Sequence, residues 1–292
     1  KSRSKGDKRM ELIFDGTALQ AVDLLSSSLH GLLTSGAAPW FHLDMKDENI
    51  GRDDDVREWL QDTSQRMLRG FDQSNFGTEV HEMYVDLVVF GTGCMFVEME
   101  EDALRFSTRH ISEFYVQENQ FGIVDTVFRS YKSPARQVVQ RFGQENVTEY
   151  IMKKFQDKPD EDIELLHIVM PREDRDSEKI DNKNMPFASI YIDMESSSML
   201  SESGFQEFPY IVPRFLKATG EIMGRSPAMV ALPDVKMLNL MSKTIIQAAQ
   251  KQIDPPLLVP DDGFLLPIRT QPGGLNFFRS GTRDTITPLN TG

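Results

Sequence analysis

A single cysteine, Cys94, stands in 292 residues, so no disulfide can form within the chain and a reducing compartment suits it. Apolar runs are short. No stretch of 18 apolar residues occurs, so no segment has the length to span a bilayer as a helix. Catalytic signatures are also missing. There is no GxxxxGK[ST] loop to cradle a nucleotide, and His30, His42, His81, His110 and His167 are scattered without HxxxH or HExxH spacing. They read as surface or core histidines. Positive charge is scarce, 32 Lys and Arg against 45 Asp and Glu, a net charge of −13. That balance argues against coating by nucleic acid over the whole surface, and leaves room for a local neutral or basic face.

Several stretches imitate sites without completing them. GTGCMF at 91–96 has two glycines at dinucleotide-loop spacing, lacks the third and precedes a strand; it reads as a helix-to-strand turn. Asp53, Asp54 and Asp55 lack EF-hand spacing and suit a helix N-terminus, where negative charge meets the helix dipole. Cys94 reads as a small core residue, and the two SSS runs, 26–28 and 196–198, lack a nucleophile-elbow context. No active site, metal site or cofactor site assembles, and an enzyme is not expected.

What is present is organised in order. KSRSKGDKR at 1–9 is a basic arm. Asp15 or Gly16 caps a helix whose apolar stripe is Ala18, Ala21, Val22, Leu25, Leu29, Leu32 and Leu33, ended by Gly36. A second helix buries Val56, Trp59, Leu60, Met67, Leu68 and Phe71, and a third runs from Thr78 to Phe90. From Cys94 the period becomes two: CMFVEME, LRFSTR, FYVQEN, IVDTVFRSYK, IELLHIVMP and FASIYIDM are strand-like, with short helices at PARQVVQRFG and VTEYIMKKF. FQEFPYIVPRFL is expected as one further strand, placed at an edge by Pro209 and Pro213. The fold class is α+β, three helices followed by a meander with helical insertions.

Residues 226–253 then form one long helix. Ser226 is its N-cap and Pro227 its first-turn proline, while Pro233 should kink or restart it. At about 1.5 Å per residue it runs roughly 42 Å, and only Asp234, Lys236, Lys243 and Lys251 are charged. Two faces separate. Leu238, Met241, Ile245, Ala248 and Ala249 make an apolar stripe; Lys236, Asn239, Lys243, Gln247 and Gln250 lie opposite. The segment after it carries Leu257, Leu258, Phe264, Leu265, Phe277 and Phe278 in a short turn-rich module that cannot cover them alone. Three acids, Asp261, Asp262 and Asp284, balance Arg269, Arg279 and Arg283 there.

Two long stretches carry a resemblance. IFDGTALQAVDLLSSSLHGLLTSGAAPWFHL (13–43) resembles the opening of bacteriophage head-to-tail connecting, or portal, proteins of short-tailed phages. GFQEFPYIVPRFLKATGEIMGRSPAMVALPDVKMLNLMSKTIIQAAQKQIDPPLLVPDDG (204–263) resembles their later signature, an extended strand, a GRSP turn, a long helix and a short β module. Gly36-Ala37-Ala38-Pro39 departs from it, since the family usually has proline soon after Thr-Ser.

The resemblance implies a portal fold: a wing over 1–225 with its arm 1–9, a stem helix over 226–253 and a clip over 254–292. The returning stem helix, tunnel loop and crown would lie beyond Gly292, and the chain reads as an internal fragment. It also implies a ring, commonly of twelve copies, at one capsid vertex of the virion, assembled in the host cytoplasm. The ring would conduct double-stranded DNA in packaging and ejection and join head to tail. Implied partners are the terminase large subunit, the tail adaptor, and the major capsid and scaffolding proteins, with no membrane. In that frame Lys236, Asn239, Lys243, Gln247 and Gln250 face the channel. Leu238, Met241, Ile245, Leu257, Leu258, Phe264, Phe277 and Phe278 meet other subunits, and Arg269, Arg279 and Arg283 meet the motor or adaptor. A nucleotide- or nucleic-acid-processing enzyme and a tail adaptor ring are the alternatives.

Overall fold

In a computed structural model of the chain, the described residues are 12–51, 53–100, 103–176, 178–179, 181–255, 257–258 and 287–288. They fall into two compact units. One is Leu19–Ala231; the other combines the described parts of Lys1–Ala18 and Leu232–Gly292. The class is α+β, as expected.

Four helices lead: α1 (Thr17–Leu33), α2 (Glu48–Gly51), α3 (Asp54–Gln73) and α4 (Phe76–Phe90). Capping explains their starts. The Asp15 carboxylate accepts from the Thr17 N–H at 3.1 Å, and Asp53 accepts from the Asp55 N–H at 3.0 Å. The one-turn α2 lies in a segment whose sequence reads as an acidic loop. α1 seats by Ser26, fully buried, with Leu29 packed on the cluster of Phe76, Val80, Met83, Tyr84, Met95 and Phe106. Its expected stripe overreaches, because Leu32 is 83% exposed and Leu33 is also open. α3 likewise buries Leu60 and Ser64 but leaves Trp59 63% exposed and Met67 open. Ser64 explains the difference. Its hydroxyl accepts from the Leu43 N–H at 2.9 Å, drawing segment 39–44 onto one side of the helix and away from Trp59.

The strands form two main antiparallel sheets. β1 (Met95–Glu100), β2 (Ala103–Thr108) and β8 (Tyr210–Ile211) pair in the order β2-β1-β8. β3 (Phe114–Glu118), β4 (Val124–Pro134), β5 (Asp162–Pro171), β6 (Phe187–Asp193) and β7 (Ser198–Phe205) pair as a meander in chain order. Helices α5 (Ala135–Phe142) and α6 (Glu149–Asp157) cover one end of the five-stranded sheet through Val138, Val139, Ile151, Ile163 and Leu165. Cys94, Phe96 and Tyr210 cover the other end, against Val127 and Val169. Burial pushes the Cys94 thiol up to about 12, which suits an inert core residue rather than a nucleophile.

The strand expected over FQEFPYIVPRFL is instead divided. Phe205 closes β7, Tyr210–Ile211 joins β1, and β9 (Leu216–Lys217) pairs with β10 (Gly224–Arg225). Prolines set the divisions because they accept but cannot donate: Pro209 O takes the Val97 N–H at 2.9 Å and Pro213 O takes the Gly93 N–H at 3.1 Å. β8 is an edge, as the prolines predict. β7 is a strand the sequence does not announce; SMLSESGF offers Leu200 as its one buried hydrophobe.

A polar row crosses the covered sheet face between the two apolar ends. Arg129, His167 and Tyr191 are cross-strand neighbours on β4, β5 and β6. Arg129 pairs with Glu113 at 2.9 Å, and Tyr191 accepts from Arg141 at 2.8 Å. The His167 ring stacks on Tyr191 with centroids 4.0 Å apart and bonds both the Tyr210 and Ser189 hydroxyls at 3.0 Å. Burial, then the positive charges of Arg141, Arg129 and Arg109, push the imidazole down to about 3, so it is neutral in the fold.

The end of α4 meets the start of the long helix by main-chain contact. Gly91 is the left-handed C-cap of α4, φ 78°, and its carbonyl accepts from the Phe215 N–H at 2.9 Å. A Cβ on Gly91 would lie 2.5 Å from the Gly224 carbonyl oxygen. Buried Thr92 accepts from the Gly224 N–H at 2.7 Å. GTG is thus the expected helix-to-strand turn, and also a backbone crossing. Nearby, Glu118 bonds Lys217 at 2.7 Å and also pairs with Arg214, tying the β3 end to the approach of β9. Those two cations, the Lys217 hydrogen bond first, hold the Glu118 carboxyl below the usual range.

Two predictions follow from this packing. The unfolded chain takes up a proton at His167 near pH 6.5 that the fold refuses down to about 3. Stability therefore falls as pH drops through that window, by about 2 kcal/mol between pH 7 and 5 from this group. Urea unfolding at both pH values should show this loss in the wild type and a smaller one in His167→Gln; equal losses would contradict it. Gly91→Ala should cost about 2–4 kcal/mol, from left-handed strain plus the collision with Gly224. Gly70→Ala, where a Cβ meets nothing within 4 Å in α3, should stabilise by up to about 1 kcal/mol. Matching thermal shifts for the two would sink the crossing.

Candidate functional site

Helix α7 spans Pro227–Ile253, 27 residues, and passes through Pro233 without interruption. Of the kink or restart expected there, the restart does not occur. Its start is fixed as the sequence predicts: the Ser226 hydroxyl accepts from the Met229 N–H at 2.9 Å, and it donates to Val89 O at 2.8 Å. Both partners of that hydroxyl are main-chain groups, one on each helix.

No side chain of α7 is buried. Leu238, Met241 and Ile245 of the expected apolar stripe are all exposed, Met241 at 53% and Ile245 at 66%, and Met237 extends the same face. Ordinary helices gain most of their stability by burying such a face, so this one lacks its cover within the described residues.

The polar side is only partly open. Lys236, Gln247 and Gln250 are exposed, whereas Asn239 and Lys243 are half-buried beneath the segment Leu12–Asp15. Asn239 Oδ1 accepts from the Phe14 N–H at 2.7 Å and from the Asp15 N–H at 3.3 Å. Its Nδ2 donates to Leu12 O at 3.1 Å. The Lys243 ammonium stands 5.7 Å from the centre of the Phe14 ring. Sequence reasoning places all five polar residues on one face and misses this strap. IFDG carries no local sign of a partner more than 220 positions away.

Beyond α7, β11 (Leu257–Leu258) pairs antiparallel with β12 (Thr287–Pro288). Phe264, Leu265, Arg269, Phe277, Phe278, Arg279 and Arg283 lie outside the described residues. Among the described residues, no group of three or more His, Cys, Asp or Glu could hold a metal ion, and no helix is long and apolar enough to cross a membrane. Asp53, Asp54 and Asp55 serve helix α3 as its cap and first turn.

Comparison with known proteins finds relatives over most of the chain. The chain is 35% identical over 263 residues to the portal protein of Salmonella phage epsilon15, covering 88% of this chain and 47% of that one. It is 32% identical over 279 residues to the probable portal protein of Bordetella phage BPP-1, covering 94% and 50%. The chain thus spans about half the length of the curated relatives it matches. The profile of the family described as bacteriophage head to tail connecting protein matches residues 1–291. This chain belongs to the bacteriophage head to tail connecting protein family.

Proposed function

We propose that the protein acts as a structural portal: a ring of copies, twelve by family likeness, at one capsid vertex of the virion. Double-stranded DNA passes along its axis in packaging and ejection, and the ring joins head to tail without catalysis of its own. The observation that carries this reading is α7, a helix with an uncovered apolar face and a weakly charged polar face opposite. Copies arranged around an axis would cover the first and turn the second toward the channel. The names of the two relatives support it.

In this reading 1–225 is the wing, with 1–9 as its arm, 226–253 the stem helix and 254–292 the clip. Leu238, Met241 and Ile245 meet neighbouring helices; Leu257, Leu258, Phe264, Phe277 and Phe278 complete a β module shared between copies. Lys236, Asn239, Lys243, Gln247 and Gln250 form the side toward DNA. Lys236 and Lys243, seven residues apart, make two basic levels roughly 10 Å apart along the helix. Phosphates would touch the open Lys236 without base readout, which suits sliding, while Lys243 stands over the Phe14 ring. Arg269, Arg279 and Arg283 are the contacts for the terminase large subunit and the tail adaptor, because PGG and SGT turns beside them mark loop tips. Major capsid and scaffolding proteins surround the wing. The net charge of −13 keeps DNA from adhering to the outside.

The test pairs two variants of the full-length protein. Met241→Asp with Ile245→Asp should leave helical content intact and abolish rings in sedimentation, since two charges would be buried unpaired at a packed face. Lys236→Glu with Gln247→Glu should leave rings intact and reduce DNA retention and packaging by tenfold or more at low salt. Rings in the first variant, or normal DNA handling in the second, would reject the corresponding face. Changing Arg269, Arg279 and Arg283 to alanine should weaken motor and adaptor binding while rings form. Normal binding of both would reject the partner role.

A further inference from the structure

Three main-chain groups of one short segment converge on the Asn239 side chain. Its carbonyl oxygen takes the Phe14 and Asp15 N–H groups, at 2.7 and 3.3 Å, and its amide nitrogen gives a hydrogen bond to the Leu12 carbonyl at 3.1 Å. Because every partner is backbone, the amide binds the main chain of Leu12–Asp15 and not its side chains. One helical turn further on, Lys243 stands over the Phe14 ring at 5.7 Å. The Asp15 carboxylate points to the Thr17 N–H instead, at 3.1 Å. The segment is therefore held by its backbone and one ring, with its acidic side chain engaged at the start of α1.

A helix face used only for water or phosphate contact would leave the acceptor and donor of such an amide free. Here both are occupied. We infer that Asn239 and Lys243 form a docking site for a main-chain segment bearing an aromatic side chain, filled by Leu12–Asp15 of the same chain. While it is filled, the polar face open to a polyanion consists of Lys236, Gln247 and Gln250, and release would add Asn239 and Lys243. The polyanion clause rests on the portal reading above; the docking does not.

Hydrogen exchange of the full-length protein tests this. The Phe14 and Asp15 amides should be protected at least tenfold over an unstructured peptide. Asn239→Leu, which keeps a helix-favouring side chain of similar size, should remove that protection while α7 amides keep theirs. Unprotected amides in the wild type, or unchanged protection in Asn239→Leu, would overturn the docking site. If Asn239→Leu also loosens α7, Asn239→Asp decides: it keeps the acceptor and loses the donor to Leu12, so partial loss supports docking and no loss overturns it. A disulfide between Phe14→Cys and Lys243→Cys forming only between different copies would overturn the same-chain assignment.

A DNA arm separates the two readings. Phe14→Leu should raise retention of a short duplex at low salt several-fold by freeing Lys243. If exchange shows docking while neither Phe14→Leu nor Lys236→Glu alters retention, docking stands and the channel assignment falls. If Lys236→Glu alters retention and Phe14→Leu does not, the docked strap does not limit Lys243, and that part of the inference is overturned.

Discussion

The backbone crossing of Gly91 and Gly224 is the contact on which the placement of the long helix start depends. Two main chains approach so closely that a single methyl group on Gly91 would lie 2.5 Å from a carbonyl oxygen. Thr92 and Ser226 then convert proximity into direction: one hydroxyl accepts from the Gly224 N–H, and the other links Val89 to the first turn of α7. Every partner in this crossing is main chain, so the joint depends on glycine, threonine and serine being small, not on apolar area. Glu118, held between Arg214 and Lys217, braces the same approach from the β3 side.

Past that root the described residues do not cover the long helix. α7 buries no side chain among the described residues, although Met237, Leu238, Met241 and Ile245 form a continuous apolar face. The five-stranded sheet is different. Its covered face is packed by α5 and α6 at one end and by Phe96 and Tyr210 at the other, with both ring nitrogens of His167 hydrogen-bonded between them. Among the described residues the five-stranded sheet has its cover and the apolar face of α7 does not.

Much of this was legible because it is local. Ser226, Pro227 and the spacing of Leu238, Met241 and Ile245 define α7 within a few turns, and Asp53 caps α3 in the same way. What stayed hidden depends on distant partners. Period alone marks Trp59 and Leu32 as inward, yet what reaches the helix is decided by segment 39–44 and by the cluster around Phe76. β7 is polar in composition and exists because β6 offers an edge. The strap at Leu12–Asp15 is invisible in sequence, since Asn239 looks like any other polar position until its amide meets backbone from the far end of the chain.

The central claim is that α7 is completed by other copies, its apolar face against neighbours and its polar face toward a shared axis. An electron cryomicroscopy map of the full-length assembly tests it most directly. The account predicts a closed ring with an axial opening, Met241 and Ile245 packed between helices, and Lys236 and Gln247 lining the opening. A ring with Lys236 on its outer surface, or an assembly without an axial opening, would contradict it.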